Sequence, residues 1–429
     1  MTQLTKSRTL LALFAIALGG FAIGTTEFST MGVLPQIAAD LVPAFESQRE
    51  QAIADAGWLV TAYALGVVVG APTIAVFGSR MSQTKLAMLL LAALSLTNAL
   101  SALMPDFALT AAARFLAGLP HGAYFGVASL LAARIMGPGK QGLGISIALS
   151  GLTVANIFGV PLGTWLGQTA GWRWAYVAVA AIFALSLLLA WLSLPRYPGT
   201  PERNPMDELR AYRRGPFLLM ILVGAIGFAG FFAVYSYIAD IAVLGVGLDE
   251  GQVPWLLAAV GVGMTIGNFA GGWLSDRFPR GSIVIGFIAL LAMFAVFSLF
   301  ANSPVMLFVL TPLVAGTSST LTPAVQSRLI ALAGDAPLIG AATNHAAFNI
   351  GNSLGAWSGG LVIAQGYGYF APGWVGFTLA AIGFALVLVS LAGERRSPAG
   401  AGIVASSQRG RAHGDAPSVD ALAGSVTES

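Results

Sequence analysis

Cysteine is absent from this sequence of 429 residues, and charged residues are scarce. Without thiols the chain has neither disulfides nor thiolate metal sites, and its three histidines, His121, His345 and His413, are far apart in sequence. We therefore expect no metal centre and no cofactor. Because 9% of the residues are charged and 56% are hydrophobic, there are too few charges to cover a soluble surface of this size. The composition predicts a polytopic membrane protein.

Long uncharged runs separate the few charges. A helix of about 20 apolar residues crosses the ~30 Å hydrocarbon core of a bilayer. Two of the longest runs are divided by turn signals, ANSP at 301–304 and GYGYFAPGW at 366–374. The sequence therefore predicts twelve membrane spans, over residues 9–35, 56–79, 86–105, 107–133, 141–168, 174–195, 216–240, 252–275, 281–301, 304–327, 338–366 and 373–392.

The lysines and arginines lie mostly on one side of this series of spans. Eighteen of them fall in segments on the side of the termini, two (Arg49 and Arg173) fall on the other side, and Arg114 falls inside a span. Since positive residues are retained in the cytoplasm, both termini are predicted there, in a multi-pass protein of the inner membrane. The same distribution accounts for the net charge of +3 without a nucleic-acid partner.

The two halves of the chain repeat each other. Trp58, Gly66 and Gly70 match residues 197 positions later, and Asn156, Gly159 and Gly163 match Asn352, Gly355 and Gly359 at an offset of 196. Two related halves are typical of a secondary transporter with a site at the membrane midplane. The predicted divisions are an N-terminus at 1–8, six-helix bundles at 9–195 and 216–392, a polar central loop at 196–215 and a disordered cytoplasmic tail at 393–429.

Several motifs resemble those of a known family. GGWLSDRFPRG at 271–281 resembles the loop signature of the major facilitator superfamily. GTTEFSTMGVLP at 24–35, GVPLGTWLGQTAGWRWAY at 159–176 and NHAAFNIGNSLGAWSGG at 344–360 are similar to the twelve-span drug:proton antiporters, in particular to the branch of arabinose-efflux permeases and chloramphenicol-resistance exporters. The resemblance implies an all-α membrane protein with twelve helices in two six-helix bundles. It implies a proton-coupled exporter that works by alternating access, and not an enzyme.

The resemblance also implies a gate. The family places an aspartate and an arginine, here Asp276 and Arg277, in the loop after span eight, where the aspartate caps a neighbouring helix and helps to hold the inner side shut. The first-half copy keeps Arg80 but has Ser79 in place of the aspartate. A neutral serine supplies less charge to a helix dipole, so we expect Asp276 to carry more of the gate.

Glycines and one proline predict how the helices approach each other. The family's antiporter motif corresponds to Gly159, Pro161 and Gly163 in span five, and a proline inside a helix kinks it. Gly355 and Gly359 recur at four-residue spacing in span eleven, which permits close backbone contact in lipid. We expect a structural kink and close packing here rather than contact with a ligand.

Two charged side chains lie inside spans. Glu27 is the one acid between Thr9 and Ala39, and desolvating a carboxylate in hydrocarbon costs several kcal/mol unless it has a partner, a proton or a wet cavity. Arg114 lies eight residues into span four and matches a basic residue of the family. We predict that the two form the proton-coupling site. The alternatives are a structural glutamate hydrogen-bonded to a neighbouring helix and an arginine that reaches to the interface.

A set of polar side chains is predicted to line a substrate cavity. For His121 a packing role competes with this prediction. The predicted lining residues are His121, Tyr124, Asn156, Tyr235, His345, Asn349 and Asn352. Such a cavity suits neutral or weakly cationic amphiphiles, a description that covers phenicols, sugars and nucleosides.

Other classes of protein fit the sequence less well. A channel or receptor does not predict the six-plus-six repeat, and an intramembrane enzyme needs an acid, base or metal constellation that these spans lack. We expect a monomer in lipid whose partners are a small-molecule substrate and protons, and we expect drug efflux with antibiotic resistance. The alternative is a sugar (arabinose-like) or nucleoside exporter with no drug role.

Overall fold

The computed structural model describes residues 5–43, 45–47, 52, 55–199 and 209–396. Throughout the described residues the regular structure is helical. The main helices are α1 (Lys6–Gly32), α2 (Leu34–Leu41), α3 (Trp58–Gly78), α4 (Gln83–Leu103), α5 (Phe107–Met136), α6 (Gln141–Val154), α7 (Val160–Thr169), α8 (Trp172–Ser193), α9 (Gly215–Tyr235), α10 (Val253–Arg277), α11 (Gly281–Phe300), α12 (Pro304–Ala333), α13 (Pro337–Ala364) and α14 (Ala371–Arg396). Short helical turns occupy Ala155–Gly159, Leu209–Arg213, Ile238–Asp240, Ile241–Gly245 and Glu250–Gln252.

Local sequence signals begin several of these helices. The side chains of Thr5, Ser82, Asp106 and Ser303 each accept a hydrogen bond from the backbone N–H three residues later. These N-caps satisfy one of the four N–H groups that a helix leaves without a partner at its start. They place the starts of α1, α4, α5 and α12 next to the predicted boundaries of the spans.

The prediction of twelve spans is confirmed. Within the described residues, eleven helical segments are long and apolar enough to cross a membrane. The twelfth span corresponds to α13, which has 28 residues and is long enough, but which carries a stripe of Asn and His side chains. A helix with such a stripe is stable in a membrane only where the stripe faces protein or water.

Three of the predicted boundaries are wrong by several residues. The first span ends at Gly32, and a separate helix, α2, begins at Leu34 with Pro35 in its first turn, where proline is favoured. The seventh span ends as a regular helix at Tyr235 and continues in short turns to Gly245. The tenth continues to Ala333, because a helix does not have to stop where the bilayer ends.

The end segments and the central loop lie partly outside the described residues. Of the predicted tail, residues 393–396 continue α14, and the rest falls outside the description. Of the predicted central loop at 196–215, the described parts are 196–199 and 209–215.

The sequence repeat is also a repeat of helix packing. A Cβ atom on Gly66 of α3 would collide with the carbonyl oxygen of Phe115 on α5, and a Cβ on Gly263 of α10 would collide with the carbonyl oxygen of Pro312 on α12. Phe115 and Pro312 are themselves 197 positions apart. The two halves therefore use the same glycine-mediated contact between corresponding helices.

The fifth span is distorted in front of Pro161. Between α6 and α7 the residues Ala155–Gly159 form a π-turn, in which the N–H of Val160 bonds to the carbonyl of Ala155, five residues back. Pro161 follows directly and has no N–H to continue a regular ladder. Such π-turns are frequent at functional sites, and this one carries Asn156.

Candidate functional site

A cavity of about 690 Å³ lies between the two halves of the chain. It opens at the end where α1 and α7 end and α10 begins, which we call the open end. We call the opposite end, where α6 begins and α10 ends, the closed end. Its lining includes Phe28, Asn156, Trp165, Gln168, Tyr235 and Asn352. Among the described lining residues none is charged, and the lining is mostly apolar with several aromatic and amide side chains.

A contact between the halves forms the deep end of this cavity. The hydroxyl of Tyr235 on α9 donates a hydrogen bond of 2.9 Å to Oδ1 of Asn156 in the π-turn. The amide nitrogen of Asn156 donates to the carbonyl of Leu152, which fixes its orientation. The ring of Phe28 on α1 meets the ring of Tyr235 edge-on, with centroids 6.3 Å apart. The π-turn thus presents an amide to the facing half at the point where a substrate would stop.

Glu27 lies directly behind this deep end. Its side chain is 4% exposed, and its Oε2 has no hydrogen-bond partner. Glu27 is not part of the cavity lining, whereas its neighbour Phe28 is. A buried carboxylate oxygen without a partner is costly unless the group carries a proton or reaches water.

Arg114 is fully buried and does not reach to the interface. Its Nη1 donates 2.9 Å to the hydroxyl of Thr26, which in turn donates 2.7 Å to Oδ1 of Asn98 on α4. The guanidinium lies over the rings of Tyr63 and Tyr176, at 4.3 and 5.1 Å from their centroids. These cation–π contacts and hydrogen bonds hold the arginine against Thr26, the residue that precedes Glu27 on α1.

Glu27 and Arg114 do not form an ion pair. Within the described residues, Arg173 and Asp40 form an ion pair near the open end. Glu27 and Arg114 do interact electrostatically through space. The structure therefore places the two predicted coupling residues in one buried cluster but leaves the carboxylate free of a direct charge partner.

Three of the seven predicted lining residues line the cavity: Asn156, Tyr235 and Asn352. The other four do not. The hydroxyl of Tyr124 donates to the carbonyl of Ile16 on α1, and the amide of Asn349 donates to the carbonyl of His345 on its own helix. The polar stripe of α13 is continuous in sequence, but its closed-end part packs against α5 and only its open-end part reaches the cavity.

The two histidines of this set meet each other instead. The ring centroids of His121 on α5 and His345 on α13 are 5.7 Å apart. Nδ1 of His121 is 3.0 Å from the hydroxyl of Tyr63. The ring of His345 stacks on Phe125, at 4.2 Å between centroids and 7° between planes.

The closed end contains the second-half gate motif. The carboxylate of Asp276 accepts hydrogen bonds from two backbone N–H groups at the start of α6, from Gly142 at 2.6 Å and from Leu143 at 2.9 Å. Below them Ser146 and Asn268 exchange two bonds, from hydroxyl to carbonyl at 2.7 Å and from amide to carbonyl at 2.8 Å. These four hydrogen bonds join the halves at the closed-end parts of α6 and α10.

The remaining gate residues lie at or just after the ends of α3 and α10. The hydroxyl of Ser79 donates 2.7 Å to the carbonyl of Val76 in its own helix. Arg80 and Arg277 are exposed at the ends of their helices. Gly159 and Gly163 lie where a Cβ would meet Thr25 and Ser29 on α1, and Gly355 and Gly359 lie where it would meet carbonyl groups of α9.

Sequence reasoning missed several residues of this site. Asn98, Tyr63 and Asn268 are fully or almost fully buried partners of the predicted residues. Each is a polar side chain in an apolar run, and that signal is the one that singled out Glu27. Ser146 had no comparable signal, since a lone serine is common in membrane helices.

Two helical halves around an uncharged central cavity, closed at one end by a carboxylate-capped helix, define a multi-pass membrane transporter. A family model described as Major Facilitator Superfamily matches residues 16–249 and 242–413. The chain therefore belongs to the major facilitator superfamily, and the expected resemblance is confirmed.

Individual relatives agree with this assignment. The chain is 36% identical over 379 residues to the inner membrane transport protein YdhP of Escherichia coli K12, covering 88% of this chain and 95% of the relative. It is 29% identical over 377 residues to the chloramphenicol resistance protein of Streptomyces lividans, covering 87% and 94%. The human organic anion transporter MFSD10 has the same fold, with a TM-score of 0.70 at 14% identity over 88% of this chain and 99% of that one. The relatives and the fold are those of transporters, not of enzymes.

Proposed function

We propose that this protein is a proton-coupled exporter of small neutral or weakly cationic amphiphiles, phenicol-like drugs among them, and that it works by alternating access. The observation that carries the proposal is the position of Glu27. It is a buried carboxylate with an unpartnered oxygen, directly behind a cavity whose described lining residues carry no charge.

The cavity supports the substrate class. Its volume of about 690 Å³ falls in the usual range for drug-sized ligands. Aromatic rings such as Phe28 and Tyr235 offer apolar faces, and Asn156 and Asn352 offer amide groups that hold a polar substituent. A strongly charged substrate would find no opposite charge in this lining, so we expect neutral compounds to bind best. The relative from Streptomyces lividans is described as a chloramphenicol resistance protein, which supports phenicols as the first compounds to test.

The orientation of the cavity follows from the charge bias. If the side with eighteen lysines and arginines is cytoplasmic, the open end of the cavity faces outward and the closed end faces the cytoplasm. In that state a proton reaches Glu27 from outside when the substrate has left. Protonated Glu27 no longer interacts with Arg114, and this change in charge is available to bias the two gate states.

Replacing Glu27 by glutamine tests this coupling. Glutamine keeps the shape and hydrogen-bonding groups of the side chain but cannot exchange a proton, so we expect normal insertion and loss of uphill efflux. Downhill exchange of a neutral substrate needs no net proton movement and is expected to be kept. Purified protein in liposomes with an imposed proton gradient, with labelled chloramphenicol as the substrate, measures both activities.

The matched control is Asp249→Asn, which makes the same change in charge at an exposed position before α10. We expect this variant to pump like the parent. Uphill pumping by Glu27→Gln at the parent rate would rule out Glu27 as the coupling acid. Uphill movement of arabinose with no movement of chloramphenicol would replace the drug substrate by a sugar.

A further inference from the structure

Two histidines from different halves meet in the interior, away from the cavity. His121 belongs to α5 in the first half and His345 to α13 in the second, and they are 1% and 2% exposed. They are the two histidines among the described residues, and neither takes part in the coupling proposed for Glu27. Because they lie on opposite halves, any movement that opens the closed end changes the distance between them.

The pair has more hydrogen-bonding capacity than the closed state uses. Nδ1 of His121 is 3.0 Å from the hydroxyl of Tyr63, but its Nε2 has no partner. Both ring nitrogens of His345 are also without partners. Three buried nitrogens without partners are costly for a contact that only packs, and leucine or phenylalanine would pack without that cost.

Among the described residues no carboxylate contacts either ring, but Glu27 acts through space on Tyr63, whose hydroxyl contacts His121. The titratable and charged groups that face His121 are Tyr63 on α3, Arg114 on α5 and His345 itself. A small pocket of about 20 Å³, room for about one water, lies beside His345 between α6, α9, α10 and α12. Its lining residues from those four helices include no titratable group.

We propose that His121 and His345 form a second proton-binding site, separate from Glu27, and that protonation of this pair opens the closed end. A proton on either ring would place a positive charge in a dry interface close to Arg114. Stacking on Phe125 offsets part of this cost, but desolvation of a full charge is the larger effect. When the halves separate, water reaches the rings and solvates the charge. A proton that binds more tightly to the open state shifts the equilibrium toward that state.

This inference rests on the proposed function in one respect, that the protein goes through a proton-driven cycle. Its test measures thiol labelling and needs no transport. The chain has no cysteine, so a single introduced thiol is the one labelling site. Ser146→Cys places that thiol in the buried contact between α6 and α10, where it reacts only when the closed end opens. The measurement is the rate of maleimide labelling of purified protein in nanodiscs between about pH 8 and about pH 5, a range that spans the ordinary titration of histidine.

The comparison is between the parent histidines and His345→Gln, each with the same thiol. The labelling rate with the parent histidines is divided by the rate in His345→Gln, and this ratio cancels the pH dependence of the thiol itself. A site whose proton affinity differs about tenfold between the two states makes this ratio rise about tenfold as the pH falls. A ratio that does not change with pH overturns the proposal. His121→Gln is expected to flatten the response in the same way.

His413→Gln is the matched control, because it changes the remaining histidine of the sequence. It should respond to pH like the parent, and a flat response in this variant would count against the pair. If Ser146→Cys does not fold, Ala342→Cys on α13 reports on the same end, since Ala342 is fully buried against Gly126 of the other half.

Glu27→Gln separates this inference from the proposed function. With Glu27→Gln and the parent histidines, we expect the pH response of labelling to persist. Loss of the response in Glu27→Gln, with its retention in His345→Gln, would assign it to Glu27 and overturn the histidine site. Uphill pumping by Glu27→Gln would instead overturn the proposed coupling and leave this labelling result unchanged.

Discussion

The two junctions that shut the closed end differ in kind, although the sequence repeat relates them. At one, which we call the α6–α10 seam, Gly142, Leu143 and Ser146 are joined to Asn268 and Asp276 by four hydrogen bonds. At the other, which we call the α13 seam, α13 packs against α3 and α5. There the backbone of Ala342 lies so close to Gly126 that an added Cβ on that glycine would be 2.9 Å from its nitrogen.

The repeat offsets show what each seam has lost or gained. Asp276 corresponds to Ser79 and Asn268 to Ala71 at an offset of 197, and Ser146 corresponds to Ala342 at an offset of 196. Each polar member of the α6–α10 seam thus has a small or neutral counterpart in the other. Directional hydrogen bonds fix one register, whereas small apolar contacts define it less sharply. We expect the α6–α10 seam to hold the closed state and the α13 seam to yield first.

Replacing Asp276 by asparagine should have the largest effect. Asparagine keeps one acceptor but loses the second bond and the negative charge at the start of α6. This should weaken the closed state by about 1–2 kcal/mol, which is roughly a five- to thirtyfold change in the equilibrium. We expect slower transport at matched membrane abundance, measured as initial rates in liposomes.

Ser79→Ala is the counterpart of this variant. Because the hydroxyl proton of Ser79 bonds within its own helix, its loss should change transport by less than a factor of about two. Equal defects in Asp276→Asn and Ser79→Ala would show that the two seams contribute equally, against the asymmetry drawn here.

Ser146→Ala should have a smaller effect of the same sign. It removes the bond to the carbonyl of Asn268 and leaves that carbonyl short of one partner, a loss of about 1 kcal/mol. Labelling of Ala342→Cys should become roughly fivefold faster, because the closed end opens more often. Ser150→Ala is the control, since this serine on the same helix donates to Ile147 within α6. If both serine variants label at the same rate, the Ser146–Asn268 contact does not hold the seam.

The fold could be predicted because its determinants are local. About 20 apolar residues between charges are enough to define a span, and polar caps such as Asp106 mark where a helix begins. The errors fall where local signals are ambiguous. Pro35 fits both a continuing span and the first turn of a new helix, and only tertiary packing decides for the helix α2.

The candidate site could be predicted only in part, because it consists of contacts between distant segments. Uncharged flanks were enough to indicate that Glu27 is buried. They carried no information that Arg114 would bond to Thr26 rather than to the carboxylate. His121 and His345 are 224 positions apart, and no periodicity in either helix indicates that the rings face each other. They do not line the cavity of this structure, and their sequence pattern could not tell, because a polar stripe predicts contact with protein or water without distinguishing the two.

The weaker seam can be strengthened, and we expect this gain to be smaller than the losses at the α6–α10 seam. Ser79→Asp restores the residue type of the stronger seam, opposite the start of α13. By the repeat, Gly142 corresponds to Leu338, so the new carboxylate should accept from an N–H in the first turn of α13. Pro337 in that turn has no N–H, and Ala336 before it has no side chain that caps.

One new bond and a favourable helix dipole, rather than two bonds, should therefore stabilise the closed state by roughly 0.3–1 kcal/mol. We expect labelling of Ser146→Cys to slow by roughly two- to fivefold in Ser79→Asp. Ser79→Asn, which has the same shape without the charge, should slow it less, because the helix dipole acts on the charge. Equal slowing by both would assign the effect to the hydrogen bond alone. Faster labelling in Ser79→Asp would mean that Ser79 does not lie opposite the start of α13, where the repeat places it. The predicted correspondence between the two seams would then be wrong.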